Sequence, residues 1–212
     1  MKDIGLINGC VIIPTYNNHK TLKKVIEDVL NYVVASKIIV VNDGSTDSTA
    51  QILELCDSEI TILKNQQNKG KGYSLRKGFK KAIELGFSNA ITIDSDGQHF
   101  ASDITNFIKA AKGKKGALIM GSRNMDQDGI PAKSSFGNNF SNFWFKIETG
   151  ISLPDTQTGY RLYPLEAIDE IKLFTNKFEL EIEVIVKLAW ENVPIVPISI
   201  EVYYDQEERV SH

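Results

Sequence analysis

Ala90-Ile91-Thr92-Ile93-Asp94-Ser95-Asp96-Gly97-Gln98 is the stretch on which the fold turns, an apolar, β-branched run that ends in two carboxylates and a glycine. A short apolar run closed by a turn residue reads as a buried strand, and Gly97 permits a sharp turn after it. Asp94 and Asp96 are two positions apart, so extended backbone through Ser95 would point both carboxylates to one side. Such a pair suits Mg²⁺ or Mn²⁺, hard ions that take a few protein oxygens and fill the rest of their shell with water and phosphate. Aspartates also gather in ordinary turns, where they accept from backbone N–H groups, so the motif alone leaves both readings open.

Upstream of this strand the chain alternates strand and helix signals. Cys10 to Pro14 is a β-branched run opening into Pro-Thr-Tyr-Asn-Asn, and Leu22, Val25, Ile26, Val29 and Leu30 then recur at helical spacing. Lys37 to Val41 is a second strand stopped by Asn-Asp-Gly-Ser-Thr-Asp, with Ser48 and Gln51 spaced as a capping box for a helix through Leu55. Ile60 to Leu63 gives a third strand, before a loop with Gly70 and Gly72 and a helix carrying Leu75, Phe79, Ala82, Ile83 and Leu85. Downstream, a helix from about Asp103 to Ala111 and a strand from Ala117 to Met120 continue the series. This alternation predicts an α/β fold with a mainly parallel central sheet flanked by helices.

Beyond Arg123 the pattern changes. Residues 124–131 read as a polar loop, and Ser134 to Thr149 is an aromatic-rich helix with Phe136, Phe140, Phe143, Trp144, Phe145 and Ile147. Core packing, a homodimer contact or a membrane surface would each use that face. Asp155 to Tyr163 reads as a loop entering a strand, Glu179 to Trp190 as a helix and Val196 to Tyr203 as the last strand. No repeat, low-complexity linker or composition break divides the chain, so residues 1–212 are expected to form a single domain.

Composition sets the context. With 212 residues and 42% hydrophobic content the chain can build one sizeable core, and a net charge of −3 gives no reason to expect a nucleic-acid partner. Lys69, Lys71, Arg76, Lys77, Lys80 and Lys81 form a local basic cluster, which reads as a solvated helix face. Two cysteines, Cys10 and Cys56, fit a reducing compartment better than a disulfide scaffold. No signal peptide is visible and no apolar run approaches the roughly 20 residues of a membrane span. The expected location is cytoplasmic, soluble or peripheral at the inner membrane face.

In an open parallel sheet ligands collect at the carboxyl ends of the strands. Pro14-Thr15-Tyr16, Asp43-Gly44-Ser45, Asp94-Ser95-Asp96 and Gly121-Ser122-Arg123 each follow a separate predicted strand, so folding would gather them on one rim and phosphate chemistry is the leading expectation. Asp43 as a turn residue and Arg123 as a surface cation are the plainer alternatives. A phosphatase of the Asp-x-Asp-Gly-Thr type fits poorly, because Gln98 stands in place of the threonine. An EF-hand loop counted from Asp94 fails, having His99 and Thr105 where glycine and an acid are required.

Together with Val41-Asn42-Asp43-Gly44-Ser45-Thr46-Asp47, Asn68-Lys69-Gly70-Lys71-Gly72 and Thr158-Gly159-Tyr160-Arg161, these segments resemble, in order and over almost the whole chain, the inverting family 2 glycosyltransferases of the GT-A fold. The branch most similar is that of dolichyl-phosphate mannose synthase-like, polyprenyl-phosphate enzymes. The resemblance implies a single GT-A, Rossmann-like domain with a nucleotide-sugar half at about 1–123 and an acceptor half at about 124–212. It implies that Pro14, Tyr16, Asp43 and Asp94 bind a UDP- or GDP-sugar, and that Asp94, Asp96 and Gln98 hold Mg²⁺ or Mn²⁺. Asp96, Arg123 and Asp155 would act in catalysis, with Arg123, Arg161 and Arg209 meeting the acceptor or a phosphate. Asn18 departs from the branch, which commonly has glutamate there. Members of the branch often continue into transmembrane helices, whereas this sequence ends at His212. A polyprenyl phosphate arrives already ionised and needs positioning, whereas a sugar hydroxyl needs a base, for which Asp155 is the nearest motif carboxylate. A protein that binds nucleotide sugar without transferring it is the remaining alternative.

Overall fold

A computed structural model describes residues 3–56, 58–123 and 132–203, with only the backbone described at 132–137 and 139. Its sheet contains β1 (Gly9–Thr15), β2 (Ile38–Asn42), β3 (Thr61–Lys64), β4 (Asn89–Thr92), β5 (Leu118–Arg123), β6 (Arg161–Pro164) and β7 (Ile195–Ile200). They lie in the order β3-β2-β1-β4-β6-β5-β7. Every pairing is parallel except those of β6, which runs antiparallel to both β4 and β5. Because β6 and β7 share this sheet with β1, the two expected halves of the chain are joined in one α/β layer structure.

Strand β1 is buried along its whole length and its side chains alternate between two cores. Val11 and Ile13 pack on one face with residues of α1 (Leu22–Leu30), α2 (Thr49–Glu54) and α4 (Ile104–Gly113). Cys10 and Ile12 pack on the other with α3 (Lys71–Glu84), α6 (Leu165–Glu170) and α7 (Glu179–Trp190). Helix α5 (Ala132–Thr149) adds Phe145 to the second core. A sheet covered on both faces has no solvent side, which is why its central strands read as unbroken apolar runs.

Several expectations are corrected by this arrangement. Strand β4 stops at Thr92, and Ser95 and Asp96 lie in a turn rather than in extended backbone. The capping box is absent: Ser48 makes no side-chain cap, and Asp47 Oδ1 accepts the Thr49 N–H at 2.9 Å instead. Strand β5 runs on to Arg123, the last strand stops at Ile200, and α6 carried too short a pattern to be separated from its neighbours.

The order of strands places β1 between β2 and β4, where the chain reverses its direction of travel across the sheet. Asp43 follows β2 and Asp94 follows β4, so they flank the end of β1 from either side. Strand β6 contributes in the opposite sense. Being antiparallel, it begins at the rim where its neighbours end, and this delivers Thr158-Gly159-Tyr160 to the same edge.

Candidate active site

A cleft of about 410 Å³ opens at this switch point, and Pro14, Tyr16, Asp43, Lys71, Asp94 and Asp96 are among the residues that line it. Its two walls are tied together locally. Asn17, at φ 53°, accepts from the Thr46 N–H at 2.8 Å, and the Asn17 N–H donates to Ser45 Oγ at 3.0 Å. Asp43 is buried, and its Oδ1 accepts from Asn65 Nδ2 at 2.7 Å and the Lys69 N–H at 3.0 Å. Its Oδ2 accepts from the Gly70 N–H at 2.7 Å. One carboxylate therefore shapes the loop before α3 while facing the cleft. Asn18 donates to Ser95 Oγ at 2.7 Å and Thr21 Oγ1 donates to the Ser95 carbonyl at 2.6 Å, which holds the turn between the aspartates against the β1 loop.

Both aspartates reach the cleft, but in different surroundings. Asp96 is at the mouth and accepts the Gln98 N–H at 2.9 Å; crowding by the protein raises its pKa, and the Asp94 charge adds to the rise. Asp94 lies deeper, and Lys71 Nζ sits 2.7 Å from its Oδ1. Burial, the largest single influence, would raise the Asp94 pKa, yet Lys71, with His99 and Arg161 behind it, holds the group below the usual carboxylate range. Glu181, from the first turn of α7, stands 3.2 Å from the same ammonium. Burial raises the Glu181 pKa against the pull of Lys71 and Arg161. Between two carboxylates Lys71 stays protonated: burial works against its charge, but Asp94 and Glu181 overcome it.

The expected acceptor residues separate. Arg123 and Asp155 form a two-pronged pair, Nε to Oδ2 at 2.6 Å and Nη2 to Oδ1 at 3.0 Å, with Asp155 buried. A carboxylate so engaged holds Arg123, a geometry that differs from the free base expected of Asp155. Arg161 has no exposed surface and donates to three backbone carbonyls, Thr158 at 2.7 Å, Glu181 at 2.6 Å and Thr156 at 2.9 Å. It clasps the loop before β6 to α7, so the expectation that it meets an acceptor phosphate is corrected as well. Arg209 lies outside the described residues. Gln98 is exposed, and its backbone N–H is the group tied to Asp96.

Sequence reading missed Lys71 and Glu181 as parts of the site. Lys71 stood in a motif already noticed, Asn68 to Gly72, but its neighbours made it look like one of a solvated basic face. The glycines of that motif answer to protein rather than ligand: a Cβ on Gly70 would lie 2.5 Å from the Asn176 carbonyl, and Gly70 sits at φ 96°. His99 packs at a tilt against Tyr160, ring centroids 5.1 Å apart, and leaves its Nδ1 buried without a hydrogen-bond partner.

The profile of the family described as glycosyl transferase family 2 matches residues 10–172, more than half of the chain. The chain belongs to that family. This glycosyltransferase is 30% identical over 210 residues to the UDP-N-acetylglucosamine--dolichyl-phosphate N-acetylglucosaminyltransferase of Methanococcus voltae, spanning 89% of this chain and 83% of that protein. It is 28% identical to the polyprenol monophosphomannose synthase of Mycolicibacterium smegmatis, over 77% of this chain and 64% of the other. Among solved structures, glucosyl-3-phosphoglycerate synthase of Mycobacterium tuberculosis, in complex with Mn²⁺, UDP and phosphoglyceric acid, superposes with a TM-score of 0.71. That likeness covers 97% of this chain and 73% of the other at 16% identity, so it bears on the fold. The same synthase has also been crystallised with Mg²⁺ and UDP.

The donor set of the glycosyltransferase suits such an ion. Among the described residues no group of three His, Cys, Asp or Glu side chains is poised to enclose a metal. Two cleft carboxylates with open space before them match an ion that draws its remaining ligands from a diphosphate and water. The aromatic helix is also resolved. Of the described aromatic side chains of α5 Phe145 alone is buried, while Phe140, Phe143, Trp144 and Ile147 are 59%, 58%, 47% and 55% exposed, so core packing does not account for that face. No helix among the described residues is long and apolar enough to cross a membrane.

Proposed function

We propose that this enzyme moves a sugar, with inversion, from a UDP- or GDP-sugar to a polyprenyl phosphate at the cytoplasmic face of a membrane. Asp94 and Asp96, with the Gln98 side chain, are the proposed ligands of Mg²⁺ or Mn²⁺. When bound, the ion would supply Lewis-acid stabilisation of the departing nucleoside diphosphate. The observation that carries the reading is the pairing of buried Asp155 with Arg123. It leaves Asp43, Asp94 and Asp96 as the carboxylates lining the cleft, each with another task. A sugar hydroxyl would need a base there, whereas a lipid phosphate, with a second pKa of about 6, is largely ionised at neutral pH.

The residues divide the remaining work. Pro14 and Tyr16 pack the nucleoside, and Asp43, which also lines the cleft, accepts from the ring N–H of the base. Asp155 aims the Arg123 guanidinium at the acceptor phosphate, a charge-assisted contact. The lipid is taken by α5, where Phe140, Phe143 and Trp144 form edge-to-face pairs at 6.1 and 5.8 Å on the outer face. Asn138 and Asn142 tie that helix to the Pro154 carbonyl, next to Asp155, so the aromatic face and Arg123 share one support. The names of the relatives that act on dolichyl phosphate agree with this acceptor.

The test is transfer from a panel of nucleotide sugars, in Mn²⁺, to a short polyprenyl phosphate and to free sugars. Product on the lipid phosphate is expected. Product on sugars alone would reject the acceptor assignment, and donor left intact with every acceptor would reject transfer.

A further inference from the structure

Lys71 is placed as no ordinary surface cation would be. Its Nζ contacts both oxygens of Asp94, at 2.7 and 2.9 Å, and approaches Glu181 Oε1 at 3.2 Å. The three side chains are 15%, 24% and 8% exposed. The backbone of Gly159 closes over them: a Cβ there would lie 2.6 Å from Lys71 Nζ, 2.6 Å from Asp94 Oδ2 and 3.0 Å from Glu181 Oε1. Despite its proximity to the ammonium, Glu181 Oε1 is buried and takes part in no hydrogen bond. Lys71 thus hydrogen-bonds Asp94 and is ion-paired to Glu181, whose Oε1 lies within reach but lacks the geometry of a hydrogen bond.

We propose that Lys71 is an exchangeable counter-cation, holding Asp94 in the empty site and turning onto Glu181 when a divalent ion takes Asp94. The inference rests on Asp94 being a metal ligand, as proposed above. A +2 ion on Asp94 would share its carboxylate with an ammonium at ion-pair distance, and like charges so close repel. The ammonium cannot simply be abandoned, because a buried charge without a partner is costly. Glu181 removes the conflict, since a small rotation of Nζ completes the hydrogen bond that Oε1 lacks. The exchange keeps a cation on Asp94 in both states. It also makes metal binding alone weak, because the ion must displace Lys71, and leaves the added negative charge of a nucleoside diphosphate to tip the balance. Metal and donor would then load together.

Two substitutions have opposite expected effects on Mn²⁺ affinity without nucleotide, measured by electron paramagnetic resonance of free Mn²⁺ and by calorimetry. Lys71→Met removes the competitor and should tighten binding about tenfold, whereas Glu181→Gln removes the alternative seat and should weaken it about tenfold, the worth of roughly one charged hydrogen bond. Unchanged affinity in Glu181→Gln, or weaker binding in Lys71→Met, overturns the exchange. Glu181→Gln keeps the size and removes only the charge that would seat the ammonium, so it decides the question alone if Lys71→Met does not fold, a point read from circular dichroism. Asp94→Asn separates the two levels. If it binds Mn²⁺ as the wild type does, the metal assignment itself falls, and with it the exchange; if it loses Mn²⁺ while Glu181→Gln stays at the wild-type value, only the exchange falls.

Discussion

Asp155→Asn distinguishes a clamp from a base, and the structure sets the size of the effect. The carboxylate is 1% exposed and receives four N–H groups: Nε and Nη2 of Arg123 at 2.6 and 3.0 Å, the Arg123 N–H at 3.3 Å and the Gln157 N–H at 3.0 Å. An asparagine keeps the shape but turns an NH₂ toward one guanidinium nitrogen and removes the charge. Breaking a buried pair from one side costs about 3–5 kcal/mol. Arg123 retains 16% side-chain exposure, so solvent recovers part of this and the lower end, about 3 kcal/mol, is expected. For a chain of this length each kcal/mol shifts the melting temperature by about 2–4 °C, giving a fall of about 6–12 °C. Thermal unfolding followed by circular dichroism measures it, and a double-mutant cycle of Arg123→Ala and Asp155→Ala should show a coupling of about 1–3 kcal/mol. Transfer to a polyprenyl phosphate should fall only several fold, through a less well aimed Arg123. A base would behave otherwise, since its loss costs about 10²–10⁴ in rate and the wild-type rate would climb with pH through its pKa. A variant that melts within about 2 °C of the wild type yet loses a hundredfold or more in turnover would refute the clamp.

Asp96→Asn should weaken nucleotide-diphosphate binding strongly in Mn²⁺ and little in EDTA, and calorimetry giving equal Mn²⁺ affinities for variant and wild type would remove Asp96 from the metal site. Glu183 anchors the segment before α7 through the Phe174 and Thr175 N–H groups, Thr175 Oγ1 and Lys187; burial opposes its charge, but these partners lower its pKa from 4.5 to about 2. Its folded pKa is depressed, so the stabilisation is complete above about pH 4.5 and is lost as pH falls toward 2; Glu183→Gln should flatten stability against pH in that window in acid titrations followed by circular dichroism. Replacing the exposed Phe140 and Trp144 by serine should leave the melting temperature within about 2 °C and abolish co-sedimentation with anionic liposomes. A wild type that does not sediment, or sediments equally after the double substitution, rejects α5 as the lipid surface, and a shift from dimer to monomer would assign the face to a second copy.

The parallel part of the fold was legible because its physics is local. Apolar β-branched runs alternating with amphipathic spacing specify β-α units, and parallel packing then sends every strand's carboxyl end to one rim. Pro14, Asp43, Asp94, Asp96 and Arg123 could be gathered on paper for that reason, and the structure brings the first four into one cleft. The antiparallel sense of β6 was not legible. Its four residues are all buried, so neither alternation nor a hairpin turn marks its direction. Partners of the charged groups were equally hidden, since Lys71 meets Glu181 and Arg123 meets Asp155 only after the chain has crossed the sheet. A motif shows that an arginine exists near a rim; whether it faces a ligand, as Arg123 can, or the interior, as Arg161 does, depends on carbonyls that no motif displays.

The segment that enters β6 then acquires a larger part than its sequence suggested. Asp155 aims Arg123, the Thr156 and Thr158 carbonyls are held by Arg161, and the Gly159 carbonyl accepts from Thr92 Oγ1 at 2.7 Å, just before Asp94. One run of seven residues from Asp155 to Arg161 therefore holds Arg123, the backbone leading into Asp94 and the backbone that closes over Lys71. An antiparallel strand is what makes this economical. A parallel β6 would begin at the far edge of the sheet, and these contacts would have to come from separate loops. Arg161 secures the segment by two carbonyls, those of Thr156 and Thr158, and α7 by the carbonyl of Glu181, so the residue beside Lys71 is held by the same guanidinium that holds the segment before β6. Displacing that segment would disturb Arg123 and the Lys71–Glu181 pair at once, which is the physical consequence of burying an arginine where the motif alone suggested a ligand contact.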